Sequence, residues 1–198
     1  MKGRKTLILD VDETLVHSSF TETQDPDIVL PIDIEGRIHN IFIKVRPGCC
    51  EFINEVGKYY EVVIFTASLS KYAIPLMDLL DQENVAPQRL FREHCSYTNQ
   101  GQFVKDMQRV GRPLQDTIII DNSPNSYQFQ PENGIPILSW YDDLNDTELM
   151  RFVPALKMLA DERIEDVRPI ILQSVANNEW HPESCVKICQ NLFTLQAD

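Results

Sequence analysis

Leu7-Ile8-Leu9-Asp10-Val11-Asp12-Glu13-Thr14-Leu15-Val16 is the stretch whose reading decides the fold. A short apolar run stops at two acids one residue apart, and apolar residues then resume. Such a run, bounded by polar residues, reads as a strand buried on both faces. Its acids fall at the carboxyl end, where open α/β sheets place their ligands. The pattern recurs twice. Val62-Val63-Ile64-Phe65 runs into Thr66-Ala67-Ser68, and Thr117-Ile118-Ile119-Ile120 runs into Asp121-Asn122-Ser123. Parallel neighbours of this kind open Asp10, Asp12, Thr66, Asp121 and Asn122 onto one crevice. The expected class is α/β, with a mainly parallel central sheet.

A chain of 198 residues suits one domain, and at 43% hydrophobic and 24% charged it can build an ordinary core. Nothing approaches the ~20 consecutive apolar residues of a membrane span, and no signal-peptide pattern precedes the first strand. The expectation is a soluble intracellular protein, nuclear or cytoplasmic. Met1 to Lys5 is a basic stub, so any longer amino-terminal region is expected to have been removed or never to have existed. A formal net charge of −12 argues against direct nucleic-acid binding. Lys71, Arg92 and Lys105 still supply local positive charge near the crevice. Five cysteines, Cys49, Cys50, Cys95, Cys185 and Cys189, are an odd and sparse set, so reduced thiols are expected. None has an Arg six positions later, which excludes a cysteine-based phosphatase.

Between the first strand and its helix, Ile28, Leu30, Ile32 and Ile34 alternate with other residues, Glu35-Gly36 interrupts, and Ile41, Ile43 and Val45 alternate again. The spacing predicts a hairpin with one apolar face, and Pro31 puts its first strand at an edge. This insertion, about 17–45, should overhang the crevice. Helices are predicted over Cys49 to Tyr60, from a cap at Ser68 to Ser70 through Leu80, which Pro75 limits to its first turn or kinks, from Asp146 or Thr147 to Leu159, and from Asp166 or Val167. Leu90 to Tyr97 and Phe103 to Lys105 read as strands around a turn, and Ile135 to Leu138 as a further core strand. Residues 1–176 are expected to form the catalytic domain and 177–198 a carboxy-terminal helical extension.

Two carboxylates at i and i+2 do not make a calcium-binding EF-hand loop, because Leu15 and Thr21 stand where Gly and Glu are needed. Nucleophilic catalysis fits better. Asp10 attacks phosphorus, and Asp12 protonates the leaving alkoxide and then deprotonates the attacking water. Two nearby carboxyls seldom share one protonation state, which suits that division of roles. Carboxylates repel a dianionic phosphate, so a divalent cation is expected. Asp10, the Asp12 main-chain carbonyl and Asn122 can offer oxygens to Mg²⁺, with Asp121 behind them. Thr66 and the N–H groups after it can hold phosphate oxygens, and Lys105 can neutralise the transferring group.

Asp10-Val11-Asp12-Glu13-Thr14-Leu15-Val16-His17-Ser18-Ser19, Phe65-Thr66-Ala67-Ser68, Leu90-Phe91-Arg92-Glu93, Val104-Lys105-Asp106 and Ile120-Asp121-Asn122-Ser123-Pro124 together resemble the small carboxy-terminal-domain phosphatases of the haloacid dehalogenase superfamily. The likeness runs from about Thr6 to about Val175, with Val11 where Leu is usual. It implies a Rossmann-like fold, helices on both faces of the sheet, a small β insertion and no large cap. The implied activity is Mg²⁺-dependent hydrolysis of phosphoserine or phosphothreonine in proteins. Relatives act on the carboxy-terminal repeats of RNA polymerase II, on transcription factors or on membrane-associated lipid-metabolism enzymes. By position the nucleophile falls on Asp10, the acid/base on Asp12, the phosphate-binding pair on Thr66 and Lys105, and the metal pair on Asp121 and Asn122. An apolar pocket for a substrate proline side falls on Phe20, Ile32, Ile34, Ile41 and Leu69, with Tyr72 and Arg92 nearby.

The rival readings are a non-catalytic binding module, as in the mitochondrial import receptor that shares the fold, and a small-molecule phosphatase. The tail from Asn177 matches nothing in the family. His181, Cys185 and Cys189 could line one helical face there, for which packing or partner docking is the simpler reading than a metal site. Oligomeric state is left open.

Overall fold

The computed structural model describes residues 3–195; Met1 and Lys2 of the basic stub and residues 196–198 of the tail lie outside the described residues. In chain order the elements are β1 (Thr6–Leu9), β2 (Val16–Ser19), β3 (Ile28–Ile34), β4 (Arg37–Val45), α1 (Cys49–Val56), β5 (Glu61–Phe65), α2 (Ser70–Leu80), β6 (Gln88–Leu90), β7 (Ser96–Tyr97), β8 (Phe103–Val104), β9 (Thr117–Asp121), β10 (Gly134–Pro136), α3 (Glu148–Leu159), α4 (Arg168–Ser174), β11 (Val175–Ala176), β12 (Glu179–Trp180) and α5 (Pro182–Leu195).

The central sheet has the order β10-β9-β1-β5-β6 with every pairing parallel. Leu9 lies opposite Ile64 on one side and Ile120 on the other, so the three predicted strands end level. The alternation of strand side chains then divides the core in two. Leu7, Leu9, Val62, Ile64, Ile118 and Ile120 face a large cluster that takes in buried residues from all five α-helices. Ile8, Val63, Phe65 and Ile119 face a small cluster closed by Met107 and Tyr127. Those two come from single-turn 3-10 helices, so the second face carries 3-10 turns where the first carries α-helices.

The insertion contains one strand more than the predicted hairpin. Val16–Ser19 pairs antiparallel with β4, giving the order β2-β4-β3 and leaving β3, with Pro31, at the edge. Its turn has positive φ at both Glu35 (54°) and Gly36 (78°), the conformation two-residue hairpin loops favour. The Leu90–Tyr97 segment is divided. Gln88–Leu90 joins the central sheet, a 3-10 turn follows at Arg92–His94, and only Ser96–Tyr97 pairs with Phe103–Val104. Helix α2 runs through Pro75 to Leu80, because Leu76, Met77 and Leu80 are buried and hold its second half.

In the tail, Asn177 and Asn178 have positive φ and turn β11 back onto β12. Helix α5 then packs on α3 and α4, burying Cys185 and Cys189, while Trp180 meets Phe152 edge to face at 4.6 Å. All five cysteines are free thiols.

Candidate active site

The carboxyl ends of β1, β5 and β9 deliver the predicted side chains to one cleft of about 280 Å³, lined by Asp10, Asp12, Thr66, Lys105, Asp121 and Asn122 among others. Lys105 arrives from the segment after β8, its main-chain N–H donating to the Ser126 carbonyl at 2.7 Å. Its buried ammonium lies 2.5 Å from Asp10 Oδ1 and 2.6 Å from Asp121 Oδ2. Burial opposes that charge, but the two carboxylates win and hold it above the usual lysine range. Burial, and then the Asp10 charge, push the Asp121 carboxyl up to about 6 despite Lys105. Its other oxygen, Oδ1, accepts from the Ser123 N–H at 2.8 Å.

Among the described residues, no ion pair holds Asp12. Ser68 and Thr66 donate to its Oδ2 at 2.7 and 3.3 Å, and Tyr72 and Ser18 to its Oδ1 at 2.9 and 3.4 Å. Burial, and then the Asp10 charge, raise its pKa, while the Ser68, Tyr72 and Thr66 hydroxyls pull it down without prevailing. Burial and the Asp12 charge hold the Tyr72 phenol well above its usual range, so it remains a donor. The loop carrying both acids folds back on itself, with the Leu15 N–H donating to the Val11 carbonyl at 2.8 Å and Glu13 at φ 56°. A non-glycine residue in that region is strained, and such strain gathers at functional sites.

Several residues here were not assigned from sequence. Thr14, four residues after Asp10, donates to Asp10 Oδ2 at 2.9 Å. Ser139 accepts from Asn122 Nδ2 at 2.9 Å, which leaves the amide oxygen 3.5 Å from Thr14 Oγ1. The fully buried Arg46 donates to the carbonyls of Thr14 and Leu138, both at 3.1 Å, and twice to Asp146 at 2.8 Å. Ser68, expected to cap α2, instead turns its hydroxyl to Asp12 while Leu69 takes the cap position. The spacing of Thr14 to Asp10 was a signal in the motif itself; Arg46 and Ser139 had none, because their partners are set by tertiary packing.

The predicted substrate residues also come together. A second cavity, about 190 Å³, is lined by Phe20, Ile32, Ile34, Ile41, Leu69, Tyr72 and Arg92, with Ser18, Ser19, Ser68 and Lys71. Ser68 and Arg92 line both cavities. Phe20 stands 67% exposed and Leu69 43%, so the wall is open to solvent.

The donor set of the cleft suits a hard cation. Four carboxyl groups, those of Asp10, Asp12, Glu13 and Asp121, line it with Lys105 and Arg92, and every neighbouring donor atom available to a metal is an oxygen. Among the described residues no group of three or more His, Cys, Asp or Glu side chains is placed to hold a metal unaided. The Asn122 amide oxygen and main-chain carbonyls would have to complete the set.

Residues 5–168 match the model of the NLI interacting factor-like phosphatases. The chain belongs to that family. Among curated members of the NLI interacting factor-like phosphatases, a "Probable C-terminal domain small phosphatase" of Dictyostelium discoideum is 50% identical over 176 residues, covering 89% of this chain and 56% of the relative. The human "CTD small phosphatase-like protein" is 48% identical over 160 residues, covering 81% and 58%. The chain thus spans about half the length of these relatives. The solved structure described as that of Fcp1, "an essential RNA polymerase II CTD phosphatase", superposes with a TM-score of 0.62 at 18% identity, covering 98% of this chain and 62% of that one. That likeness bears on fold alone, and it agrees with the mainly parallel central sheet expected above. No helix among the described residues is long and apolar enough to cross a membrane.

Proposed function

We propose that this chain is a Mg²⁺-dependent protein serine/threonine phosphatase that works through a phosphorylated Asp10. The observation that carries the reading is the opposite treatment of two acids two residues apart: Asp10 lies against the Lys105 ammonium, and Asp12 is buried among neutral hydroxyls. An Asp10 oxygen bonds to phosphorus as the bond to the serine or threonine oxygen breaks. Asp12 gives that oxygen its proton. A water then attacks the phosphoryl group, Asp12 takes its proton, phosphate departs and the Asp10 carboxylate is restored. Thr66 and the N–H groups after it hold phosphate oxygens, and Lys105 balances the charge on the transferring group. Asp10, the Asp12 main-chain carbonyl and Asn122, with Asp121 behind them, would hold Mg²⁺, whose positive charge would offset the dianion.

The open apolar cavity sharing Ser68 and Arg92 with the cleft supports a peptide substrate, whose flanking proline side would rest against Phe20, Ile32, Ile34, Ile41 and Leu69. The relatives' names suggest carboxy-terminal repeats of RNA polymerase II as the class to test first, which suits action in the nucleus or cytoplasm. Asp10→Asn should cost about a thousandfold or more of the Mg²⁺-dependent hydrolysis of an aryl phosphate, with an unchanged circular dichroism spectrum. Activity within tenfold of wild type would remove the nucleophile from the scheme. Turnover of sugar phosphates in preference to phosphopeptides would remove the protein substrate.

A further inference from the structure

The hairpin of β7 and β8 carries two aromatic side chains that neither the cleft nor the core uses. Tyr97 and Phe103 are register partners, their ring centroids 5.0 Å apart, and they stand 67% and 36% exposed. Their position bears on the cleft for three reasons. Phe103 is two residues before Lys105, and the buried Val104 lies between them. Alternation along an extended chain therefore puts Phe103 on the side from which Lys105 enters the site. Next, the Arg92 guanidinium sits over the Phe103 ring at 5.2 Å, within cation–π range. Finally, Arg92 lines both the cleft and the apolar cavity, so the guanidinium that packs on Phe103 also borders both. The Arg92 Nε is held by the Ala67 carbonyl at 2.6 Å, which fixes the guanidinium between the two regions.

We propose that Tyr97 and Phe103, with Arg92 packed on Phe103, form a second subsite for the substrate peptide, outside the apolar cavity and reached past Arg92. The inference rests on the peptide-phosphatase reading above. The occupant is a ring-bearing side chain of that same peptide, proline or an aromatic residue. An exposed aromatic pair backed by a cation offers flat stacking surface and little hydrogen bonding, which selects a ring over a polar chain. A bland alternative exists: the pair could serve only to hold a hairpin of two-residue strands together and keep Lys105 in place. The two roles separate by substrate.

The test compares Tyr97→Ala and Phe103→Leu with wild type on three probes. These are an aryl phosphate, a phosphopeptide extended on both sides of the phosphorylated residue with rings at flanking positions, and the same peptide truncated on either side in turn. The expected result is that both variants raise KM for the extended peptide by roughly 3- to 10-fold. Truncation on one side should abolish the difference between variant and wild type, truncation on the other should preserve it, and aryl phosphate turnover should not change. Equal KM for wild type and Tyr97→Ala on every peptide overturns the subsite. So does a fall in kcat of similar size on all probes, which is the signature of a displaced Lys105. A wild type that hydrolyses aryl phosphate but gains nothing from peptide length overturns the subsite and leaves the phosphatase chemistry intact. A wild type inactive on every probe overturns the underlying reading and the subsite with it.

Discussion

The polar cleft and the apolar cavity share Ser68 and Arg92, yet they are built on different physical terms. In the cleft, Asp10, Thr14, Thr66, Lys105 and Asp121 are almost fully buried, and each has a named partner within hydrogen-bonding distance. In the cavity, Phe20 and Leu69 stand in water, and the wall is held by ordinary packing of the insertion. A buried charge assembly tolerates almost no rearrangement, because any unpaired member bears the whole desolvation cost. An open apolar wall loses only area. On the proposed reading, the difference separates a rigid region for chemistry from an adaptable one for recognition.

The contrast breaks first at Lys105. Lys105→Met leaves Asp10 and Asp121 facing each other without a cation, and should lower kcat on an aryl phosphate by about two to three orders of magnitude. Steady-state kinetics showing less than a tenfold loss would mean that the cleft is as forgiving as the cavity. Asp146→Asn probes the scaffold of the cleft. It strips the buried Arg46 of its counter-charge and should cost about 3 kcal/mol in urea unfolding.

The same pair has a pH signature. Although burial raises the Asp146 carboxyl, the bonds from Arg46 and the Glu148 N–H outweigh it and leave the pKa below 3.8. A carboxyl depressed in the folded state stabilises fully above its unfolded value, and that contribution is lost as pH falls through the folded value. Wild type should therefore lose this increment in acid while Asp146→Asn does not, so parallel melting curves below pH 3.8 would contradict the pairing. The smallest effect is expected in the cavity. Phe20→Ala should raise KM for a phosphopeptide by roughly 2- to 5-fold and leave aryl phosphate hydrolysis unchanged. A matching fall in kcat on the small substrate would join the two regions into one.

The same division explains what could be read before any coordinates. Asp10, Asp12, Thr66, Asp121 and Asn122 were legible because each ends a fully apolar run, and parallel strands of one sheet end together. Lys105 could be offered as a nearby cation from sequence, but its assignment rested on the pattern around it, since a lone lysine after a two-residue strand has no local signature. The cavity residues were found by the same resemblance, while their alternation alone fits a hairpin packed on the core, which Ile32 and Ile41 also are. Strand β2 was missed because His17, Ser18 and Ser19 are polar and pair only through β4, about 25 residues onward. Arg46 and Asp146, separated by 100 positions, meet only because the chain between them has folded.

Arg46 directly follows β4, the strand on which the insertion returns to the domain, and its guanidinium ties that junction to the acid-bearing loop and to the segment before α3. The Glu35-Gly36 tip lies at the far end of β4 from this anchor, so a change of length or sequence there should leave the Arg46 junction in place. On the proposed reading, the outer hairpin is where substrate preference would change with least disturbance of the junction behind it.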